Sequence, residues 1–508
     1  MIKSISKIIS PVLINIFNMC YKEGTFPSDL KIAKVIPIYK NKGSIKEISN
    51  YRPISMLSIF SKLFEKLIHK RLLEFLIDNK IINPSQYGFR PGHSTQHALI
   101  NATENIYKSL DLKLYTLGIF IDFSKAFDTV SHDILLHKLR HYGVHGSILN
   151  MIDSYLTNRY QYVSYGGTDS SKLLIKMGVP QGSVLGPLLF LIFINDLPNI
   201  TNHDHVKFVL FADDSNMFIN HSDRFTLFSI ANEILQKLYD YCCANKIVIN
   251  LDKCCYMEFG ATSTDLPNYN LGILNHRFQK VEECKFLGVY LNSKLDWKSQ
   301  IRHVKTQVSK ATVALNSVKK IVPPKILRNI YFALIQPYLV YCAPLWGSIH
   351  TSKDYEDLFK VQKKAIRVIS NLTYKVGNRF VNTKPLFYRH NILTVHNLYY
   401  YLLATESWKI LNNKSPEIIF GYFNVSTRSI RLLLPKFSYH KPANKSFSFT
   451  ASKLLNFLLQ NDISYVGYTL QKFKCKLKRH LMFKQSLSLF NDPNWIPCNI
   501  NIYSDITM

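Results

Sequence analysis

The sequence lacks the features that mark secreted, zinc-binding and membrane-spanning proteins. Its nine cysteines form no Cys-x-x-Cys pair, and no cysteine and histidine cluster has the spacing of a zinc site. No apolar run has the length of a membrane span, and no secretory signal opens the chain. Internal repeats and low-complexity linkers are also missing. These absences predict an intracellular protein of the nucleus, the cytoplasm or both, with reduced thiols and no membrane partner.

Acidic residues are scarce. The 508 residues include 34 Asp and Glu against 63 Lys and Arg, which gives a net charge of +29. The stretch from Lys298 to Lys484 holds 31 basic residues against 6 acidic ones. A charge run can be only a solvated face, but a whole region with this imbalance favours a polyanionic partner, nucleic acid before membrane. With 47% hydrophobic residues, the chain can form two to four packed units.

Two adjacent aspartates, Asp213 and Asp214, stand between two apolar runs within residues 209–219. This pattern predicts a β-hairpin with the carboxylates near its tip. Neighbouring carboxylates repel each other, and either water or a divalent cation must compensate the charge. Considered alone, the pair is more often a solvated turn.

A third carboxylate changes this interpretation. Asp122 directly follows the apolar strand predicted at 117–121. If that strand neighbours the hairpin in one sheet, Asp122, Asp213 and Asp214 meet at one edge. Three carboxylates are hard oxygen ligands that suit Mg²⁺ and not zinc. Two such ions about 3.5–4 Å apart can assist an in-line phosphoryl transfer.

Hydrophobic periodicity predicts the other elements. A helix is expected over 59–77, with the leucines at 63, 67, 72 and 76 facing inward. Single strands are expected at Ile247–Leu251 and Phe286–Leu291. From Trp297 the pattern is helical with breaks at prolines, and the pattern is helical again over Lys453–Phe490.

Three stretches resemble successive motifs of the reverse transcriptase family. They read DFSKAFDTVSH from Asp122, GVPQGSVLGP from Gly178, and FADD from Phe211 to Asp214. The variant is similar to that of non-long-terminal-repeat retrotransposons such as the jockey-like elements. Further blocks at 34–40 with 50–55, 86–95, 245–253 and 286–291 are similar to the family's and follow its order. Seven blocks over about residues 20–300 make coincidence a poor explanation.

The resemblance implies a right-hand polymerase of the α+β class with a basic helical C-terminal extension. Residues 1–110 would form an N-terminal extension and the fingers. Residues 111–296 would form the palm, with an inserted fingers segment near 142–180. A helical thumb would cover 297–372 and the basic extension 373–508.

The resemblance also implies roles for individual residues. Asp122, Asp213 and Asp214 would be catalytic metal ligands together with the Phe123 carbonyl, and Lys253 would protonate the leaving pyrophosphate. Nucleotide-binding roles fall to five residues, namely Lys40, Arg52, Phe127, Gln181 and Gly182. Phe286, Leu287 and Gly288 would hold the primer end. Phe127 would exclude a ribose 2′-hydroxyl, although a core phenylalanine would give the same pattern.

The implied activity is RNA-directed DNA synthesis at a primer 3′-hydroxyl, with two Mg²⁺ ions as cofactors and Mn²⁺ as a substitute. The expected partners are an RNA template, a DNA primer or target and deoxynucleoside triphosphates. No cysteine and histidine knuckle or acidic nuclease cluster follows residue 300, so integration is expected to need a separate or upstream endonuclease.

Two other functions stay open at this stage. A catalytically inactive or co-opted remnant could bind nucleic acid without polymerising, although all catalytic positions are present. An RNA-dependent RNA polymerase shares the palm chemistry, but Phe127 and the FADD pattern argue against it. The basic and aromatic tract Lys472–Arg479 favours a nucleic-acid surface, with an amphipathic segment as the plainer alternative.

Overall fold

The computed structural model describes residues 4–260, 269–372, 375–376, 379–380, 382–425, 432–433 and 444–486. Within these ranges, no helix has both the length and the apolar character needed to cross a membrane.

The secondary structure alternates helices and strands in the first 300 residues and is mainly helical afterwards. The strands are β1 Ile32–Tyr39, β2 Tyr51–Met56, β3 Tyr115–Ile121, β4 Arg159–Tyr165, β5 Thr168–Asp169, β6 Leu173–Ile175, β7 Val206–Phe211, β8 Asp214–His221, β9 Cys255–Phe259, β10 Gly272–Ile273, β11 His276–Arg277, β12 Gln279–Lys280, β13 Glu283–Phe286, β14 Val289–Asn292, β15 Lys375–Val376, β16 Arg379–Phe380, β17 Asn424–Val425 and β18 Leu432–Leu433. The helices are α1 Ser6–Glu23, α2 Ile59–Asp78, α3 Thr95–Asp111, α4 His132–His141, α5 Gly146–Leu156, α6 Gly186–Ile194, α7 Arg224–Asn245, α8 Lys298–Val318, α9 Pro324–Leu334, α10 Gln336–Val340, α11 Ala343–Trp346, α12 Lys353–Ile369, α13 Lys384–Arg389, α14 Val395–Leu411, α15 Glu417–Phe420, α16 Phe447–Gln460 and α17 Leu470–Ser486.

Two five-stranded sheets organise the first part of the chain. The first has the order β2-β1-β4-β5, with β6 also pairing β4, and β4 runs parallel to β1. The segment predicted as inserted fingers near 142–180 therefore contributes strands to the same sheet as residues 32–56. The second sheet has the order β12-β9-β3-β8-β7, and its central strand β3 is apolar and buried. Burial on both faces explains the continuous hydrophobic run in that strand.

Helix α2 matches the predicted helix, and two of its four predicted inward leucines, Leu72 and Leu76, are buried. Ser58 caps its start, because the Ser58 side chain accepts a hydrogen bond from the Ser61 N–H. The side chains packed inside are Phe64, Ile68, Leu72 and Leu76. Leu63 and Leu67 are 37% and 45% exposed, so their predicted inward position was wrong. Two helical stripes one residue apart are both apolar here, and periodicity does not tell them apart.

Two other predictions of secondary structure were wrong. Residues 247–251 form no strand, and only a single bridge joins Ile249 to Phe123. The stretch Phe286–Leu291 is a tight hairpin, because Leu287 and Gly288 both have positive φ and reverse the chain between β13 and β14. The helical character predicted over 453–490 is confirmed by two helices, α16 and α17, and the last part of this range lies outside the described residues.

The C-terminal helices share one apolar core with the predicted thumb. Buried residues from α3, α8, α9, α12, α14, α16 and α17 all belong to this core. A second core lies under α1, α2, α4, α5, α6 and α7, around the other side of the second sheet. The predicted thumb and the predicted C-terminal extension are therefore one packed body in the described residues.

Helix α3 packs between the second sheet and the C-terminal region, and buried hydrogen bonds join it to that region. The carboxylate of Glu104 accepts hydrogen bonds from the Ser448 N–H at 2.8 Å and the Ser448 hydroxyl at 2.7 Å. His97 Nε2 lies 2.6 Å from Glu406 Oε1, and the Tyr422 hydroxyl donates to Asn101 Oδ1 at 2.6 Å. Burial raises the pKa of Glu104 to about 7, despite the Ser448 hydrogen bonds.

This buried carboxyl predicts a dependence of stability on pH. The pKa of Glu104 is higher in the folded than in the unfolded chain. Its contribution to the free energy of unfolding is therefore fully present below about pH 4.5 and is lost as the pH rises through about 7. Glu104→Gln keeps an acceptor for Ser448 and removes the titration. We expect the variant to melt at a higher temperature than the parent chain at pH 8, by a stabilisation on the order of 1–3 kcal/mol. The two melting curves should converge at pH 5. Equal differences at both pH values would contradict this role.

Candidate active site

The second sheet brings the three predicted carboxylates to one edge. Strand β8 pairs with β3 on one side and with β7 on the other, with Ser215 opposite Ile121 and Asp214 opposite Phe211. Asp122 directly follows β3, Asp213 lies in the hairpin turn, and Asp214 begins β8. The strand arrangement on which the sequence argument depended is therefore present.

These carboxylates destabilise one another's charge. Burial raises the pKa of Asp213, and the charge of Asp122 raises it further. The Asp214 side chain is still open to solvent, but the protein packed around it, followed by Asp213 and Asp122, raises its pKa to about 6. A hard divalent cation bound between neighbouring carboxylates compensates their negative charge. The donor chemistry therefore fits Mg²⁺.

The arrangement of the side chains differs from a finished coordination shell. Among the described residues, no three aspartate, glutamate, histidine or cysteine side chains are gathered closely enough to share an ion. Asp122 is instead paired with Lys253, whose Nζ lies 3.0 Å from Asp122 Oδ2. The ammonium group provides the positive charge at one of the three carboxylates. Both side chains of this pair are partly exposed, so the pair is weak and exchangeable.

A short backbone pairing places Lys253 beside Asp122. The Asn250 N–H donates to the Asp122 carbonyl at 2.8 Å, and the Ser124 N–H donates to the Val248 carbonyl at 2.8 Å. A single helical turn at Leu251–Lys253 then carries the lysine back towards the carboxylate. On this side of the pairing, the two hydrogen bonds involve the Asp122 carbonyl and the Ser124 N–H. They leave the Phe123 carbonyl, the predicted fourth metal ligand, unused by this pairing.

Phe127, five residues after Asp122, lies between two other rings. It stacks on the buried Phe190 with ring centroids 4.6 Å apart, and it meets the edge of Phe89 at 6.3 Å. The Phe127 carbonyl accepts the Val179 N–H at 2.8 Å. The Phe127 ring is therefore held in place by Phe190, and it remains partly exposed to solvent.

The loop with Gln181 and Gly182 joins the two sheets. Gln181 donates from Nε2 to Asp128 Oδ1 at 3.0 Å, and its carbonyl accepts the Ser55 N–H at 2.7 Å. Gly182 has φ +116°, and a Cβ there would lie 2.7 Å from the Ser55 carbonyl oxygen. Only glycine satisfies both the backbone conformation and this close approach.

Lys40 and Arg52 lie at the far end of the hairpin formed by β1 and β2. Lys40 Nζ donates to the Ser49 carbonyl at 2.8 Å, and both side chains are exposed. Arg52 lies on the same strand as Ser55, about 10 Å along the chain from the contact with Gln181. No described contact brings either side chain to the carboxylates. Both remain predicted ligands of the nucleotide.

The predicted primer grip is the β13–β14 hairpin. Phe286 is buried and packs against Phe120 and Phe218 of the second sheet, with centroids 5.7 and 6.2 Å apart. The Tyr341 hydroxyl donates to the Leu287 carbonyl at 2.6 Å and packs close to Gly288. The hairpin is therefore fixed between the sheet and the helical region.

Sequence reasoning missed Asp128 and Tyr341. Asp128 was inside a recognised motif, and its hydrogen bond orients the Gln181 amide. Its position one residue after Phe127 was an available signal. Tyr341 lies more than fifty residues beyond the hairpin that it fixes, and a single tyrosine in a helical region carries no such signal.

Comparison with known proteins decides the family. The match is to the family described as reverse transcriptase (RNA-dependent DNA polymerase), over residues 38–291. The chain belongs to this family. The matched range begins in β1 and ends in β14, so it includes both sheets and all three aspartates. The fold is accordingly the α+β right hand of the reverse transcriptases, with a helical C-terminal region.

Several curated proteins are similar to this reverse transcriptase. The probable RNA-directed DNA polymerase from transposon BS of Drosophila melanogaster is 29% identical over 379 residues, which are 71% of this chain and 40% of that protein. The RNA-directed DNA polymerase from the mobile element jockey of the same organism is 29% identical over 376 residues, 72% of this chain and 40% of that protein. The chain thus spans about 40% of the length of these relatives.

Among solved structures, apo telomerase from Candida tropicalis is similar, with 13% identity and a TM-score of 0.40. The similarity covers 81% of this chain and 74% of that one.

Proposed function

We propose that this chain is the RNA-directed DNA polymerase of a retrotransposon and adds deoxynucleotides to the 3′-hydroxyl of a primer. One observation carries the proposal. Asp122, Asp213 and Asp214 lie at one edge of the second sheet, where the pKa values of Asp213 and Asp214 are raised, and the chain around them supplies a fixed aromatic ring and a glycine loop. That set matches what phosphoryl transfer to a nucleic-acid end requires, namely negative ligands and a shaped pocket.

Two Mg²⁺ ions, or Mn²⁺ in their place, would be held by the three aspartates and the Phe123 carbonyl and would supply charge neutralisation for the transferred phosphoryl group. Lys253 reaches the same place and carries a proton that the leaving pyrophosphate can accept. Its 3.0 Å contact with Asp122 supports this position. The pair uses only Oδ2 of Asp122, so Oδ1 can act as a ligand while Lys253 stays in place.

The remaining residues would orient the substrates. Gln181 and Gly182 would line the nucleotide pocket, and Lys40 and Arg52 would meet the triphosphate from the predicted fingers. The hairpin turn of Phe286, Leu287 and Gly288 would hold the primer end. We retain 1–110, 111–296, 297–372 and 373–508 as the proposed domain limits.

The proposed partners are an RNA template, a DNA primer or target site and deoxynucleoside triphosphates. A separate or upstream endonuclease would prepare the target for integration, and the protein would act in the nucleus, the cytoplasm or both. Helix α17 supports a nucleic-acid surface, since Phe473 and Leu477 face the core while the basic residues of Lys472–Arg479 lie around them.

The test is primer extension on a defined RNA template, with RNA binding measured on the same preparation at several salt concentrations. The proposal predicts extension with deoxynucleotides in Mg²⁺. Salt-sensitive RNA binding without extension would instead identify a binding remnant. Extension with ribonucleotides in preference to deoxynucleotides would identify an RNA polymerase.

Phe127→Ala is expected to relax sugar selectivity. Removing the ring that is stacked on Phe190 makes room for a 2′-hydroxyl, and we expect discrimination against ribonucleotides to fall by about 10- to 100-fold. Phe127→Tyr is the matched control, because it keeps the ring and should keep the selectivity. The measurement is kcat/KM for each nucleotide class. Unchanged selectivity in the alanine variant would mean that Phe127 is only a core ring.

A further inference from the structure

Gln86 is buried directly beneath the turn that carries the catalytic aspartates. Its side chain is 1% exposed. Its carboxamide oxygen accepts two backbone hydrogen bonds, from the Gly88 N–H at 2.8 Å and from the Ala212 N–H at 3.0 Å. Ala212 is the residue immediately before Asp213. A single side-chain oxygen therefore joins the block at 86–95 to the tip of the hairpin.

The surrounding backbone makes the same connection. The Tyr87 N–H donates to the Leu210 carbonyl at 2.8 Å, and the Leu210 N–H donates to the Ser85 carbonyl at 2.9 Å. Residues 85–87 thus run parallel to the end of β7. At Gly88 the approach is so close that a Cβ would lie 2.4 Å from the Ala212 nitrogen. The turn at Ala212 therefore cannot move towards residues 85–88 without a collision between backbone atoms.

The turn itself needs such support. Ala212 has φ +57°, a left-handed conformation that non-glycine residues adopt only when their surroundings hold them there. Its N–H is covered by the 85–88 segment, where water cannot replace a lost acceptor. Without Gln86 the turn would keep an unsatisfied donor or change its conformation. Either outcome moves the residue that follows, Asp213.

We propose that Gln86 is a positioning residue that sets the conformation of the Ala212 turn and thereby the place of the Asp213 and Asp214 carboxylates for divalent-cation binding. The inference rests on the proposed function, since it assumes that these carboxylates bind the cation. Both hydrogen bonds of the Gln86 side chain go to backbone N–H groups. Among the described residues its Nε2 has no hydrogen-bond partner, so the acceptor oxygen is the atom that carries the role.

The chain offers a matched control at the other end of the same segment. Asn195 is also a buried amide, and its Oδ1 accepts the Asn83 N–H while its Nδ2 donates to the Ile81 carbonyl, both at 2.8 Å. It fixes the approach to the 85–88 segment but has no contact with the hairpin turn in these hydrogen bonds. Gln86→Met and Asn195→Leu each remove two buried hydrogen bonds and keep most of the side-chain volume.

The test is Mn²⁺ titration of the parent chain and both variants, with free Mn²⁺ followed by electron paramagnetic resonance, beside melting curves and steady-state extension. We expect Gln86→Met to raise the half-saturating Mn²⁺ concentration by about tenfold or more, as removal of a ligand-orienting group does. Extension should lose kcat with little change in KM for the primer. Asn195→Leu should lower the melting temperature similarly and leave Mn²⁺ binding unchanged.

Equal Mn²⁺ binding by Gln86→Met and the parent chain would overturn this inference alone. If Gln86→Met does not fold, Gln86→Glu decides, because it keeps the acceptor oxygen. It should bind Mn²⁺ at least as tightly as the parent chain, and weaker binding would overturn the role of the acceptor. A parent chain with neither Mn²⁺ binding nor extension would overturn the proposed function and this inference with it.

Discussion

Ending the chain after Leu372 is expected to abolish the folded protein rather than to yield a smaller polymerase. The truncation removes α14, α16 and α17, which share the core of α3, α8 and α12. It also removes the hydrogen-bond partners of buried groups in the remaining chain. Glu104, His97 and Asn101 on α3 lose Ser448, Glu406 and Tyr422.

Another buried group is affected in the helical region. Gln362 donates to the Leu393 carbonyl at 3.0 Å and accepts the Val395 N–H at 2.8 Å. Each hydrogen bond lost in this way contributes about 0.5–1.5 kcal/mol, because water can hydrate the groups that the truncation uncovers. The apolar face of the shared core is uncovered as well, at about 25 cal/mol per Å², and the two losses together exceed the net stability of a typical domain, about 5–15 kcal/mol.

The measurement is the yield of soluble, cooperatively melting protein. The control ends after Ser486, which leaves every described contact in place and should melt like the full chain. A soluble truncation at 372 with a cooperative melt and normal extension would contradict the shared core. That result would show that residues 1–372 fold and act without residues 373–508.

Gly182→Ala is expected to reduce kcat/KM for deoxynucleotides by about 100-fold, the size of effect that a misplacement of about 1 Å produces. The added Cβ would lie 2.7 Å from the Ser55 carbonyl oxygen, which is backbone and cannot rotate away. The backbone at φ +116° adds strain of about 1–3 kcal/mol. Relief requires the Gln181–Ser55 hydrogen bond of 2.7 Å to open, and this displaces the pocket.

Gly167→Ala is the matched control. Gly167 also has a positive φ, +85°, but no atom lies within 4 Å of its added Cβ. This variant carries the backbone strain without the collision, in a hairpin away from the carboxylates. It should extend primers like the parent chain. Equal losses in both variants would show that strain alone matters, and no loss in Gly182→Ala would remove Gly182 from the pocket.

The sequence predicted well that the three aspartates meet at one edge of a sheet, because the signals there are local. Asp122 follows an apolar run and the Asp213–Asp214 pair interrupts another, so neighbouring strands are enough to bring them together. The family motifs added the expected right-hand polymerase fold.

The features that sequence reasoning missed depend on distant contacts or on ambiguous patterns. An apolar run at 286–291 fits a strand, yet Leu287 and Gly288 reverse the chain inside it. Adjacent apolar stripes on α2 concealed which one packs inward. The union of α3 with the C-terminal helices depends on pairs such as Glu104 and Ser448, 344 residues apart. Neither composition nor periodicity predicts such a pair.

The most direct test of the central claim is RNA-templated primer extension in Mg²⁺ by the parent chain beside Asp213→Ala/Asp214→Ala. The account predicts extension by the parent chain and none by the double variant, with RNA binding retained by both. Equal extension by both proteins would contradict the assignment of the three carboxylates and would leave the active site to be found elsewhere.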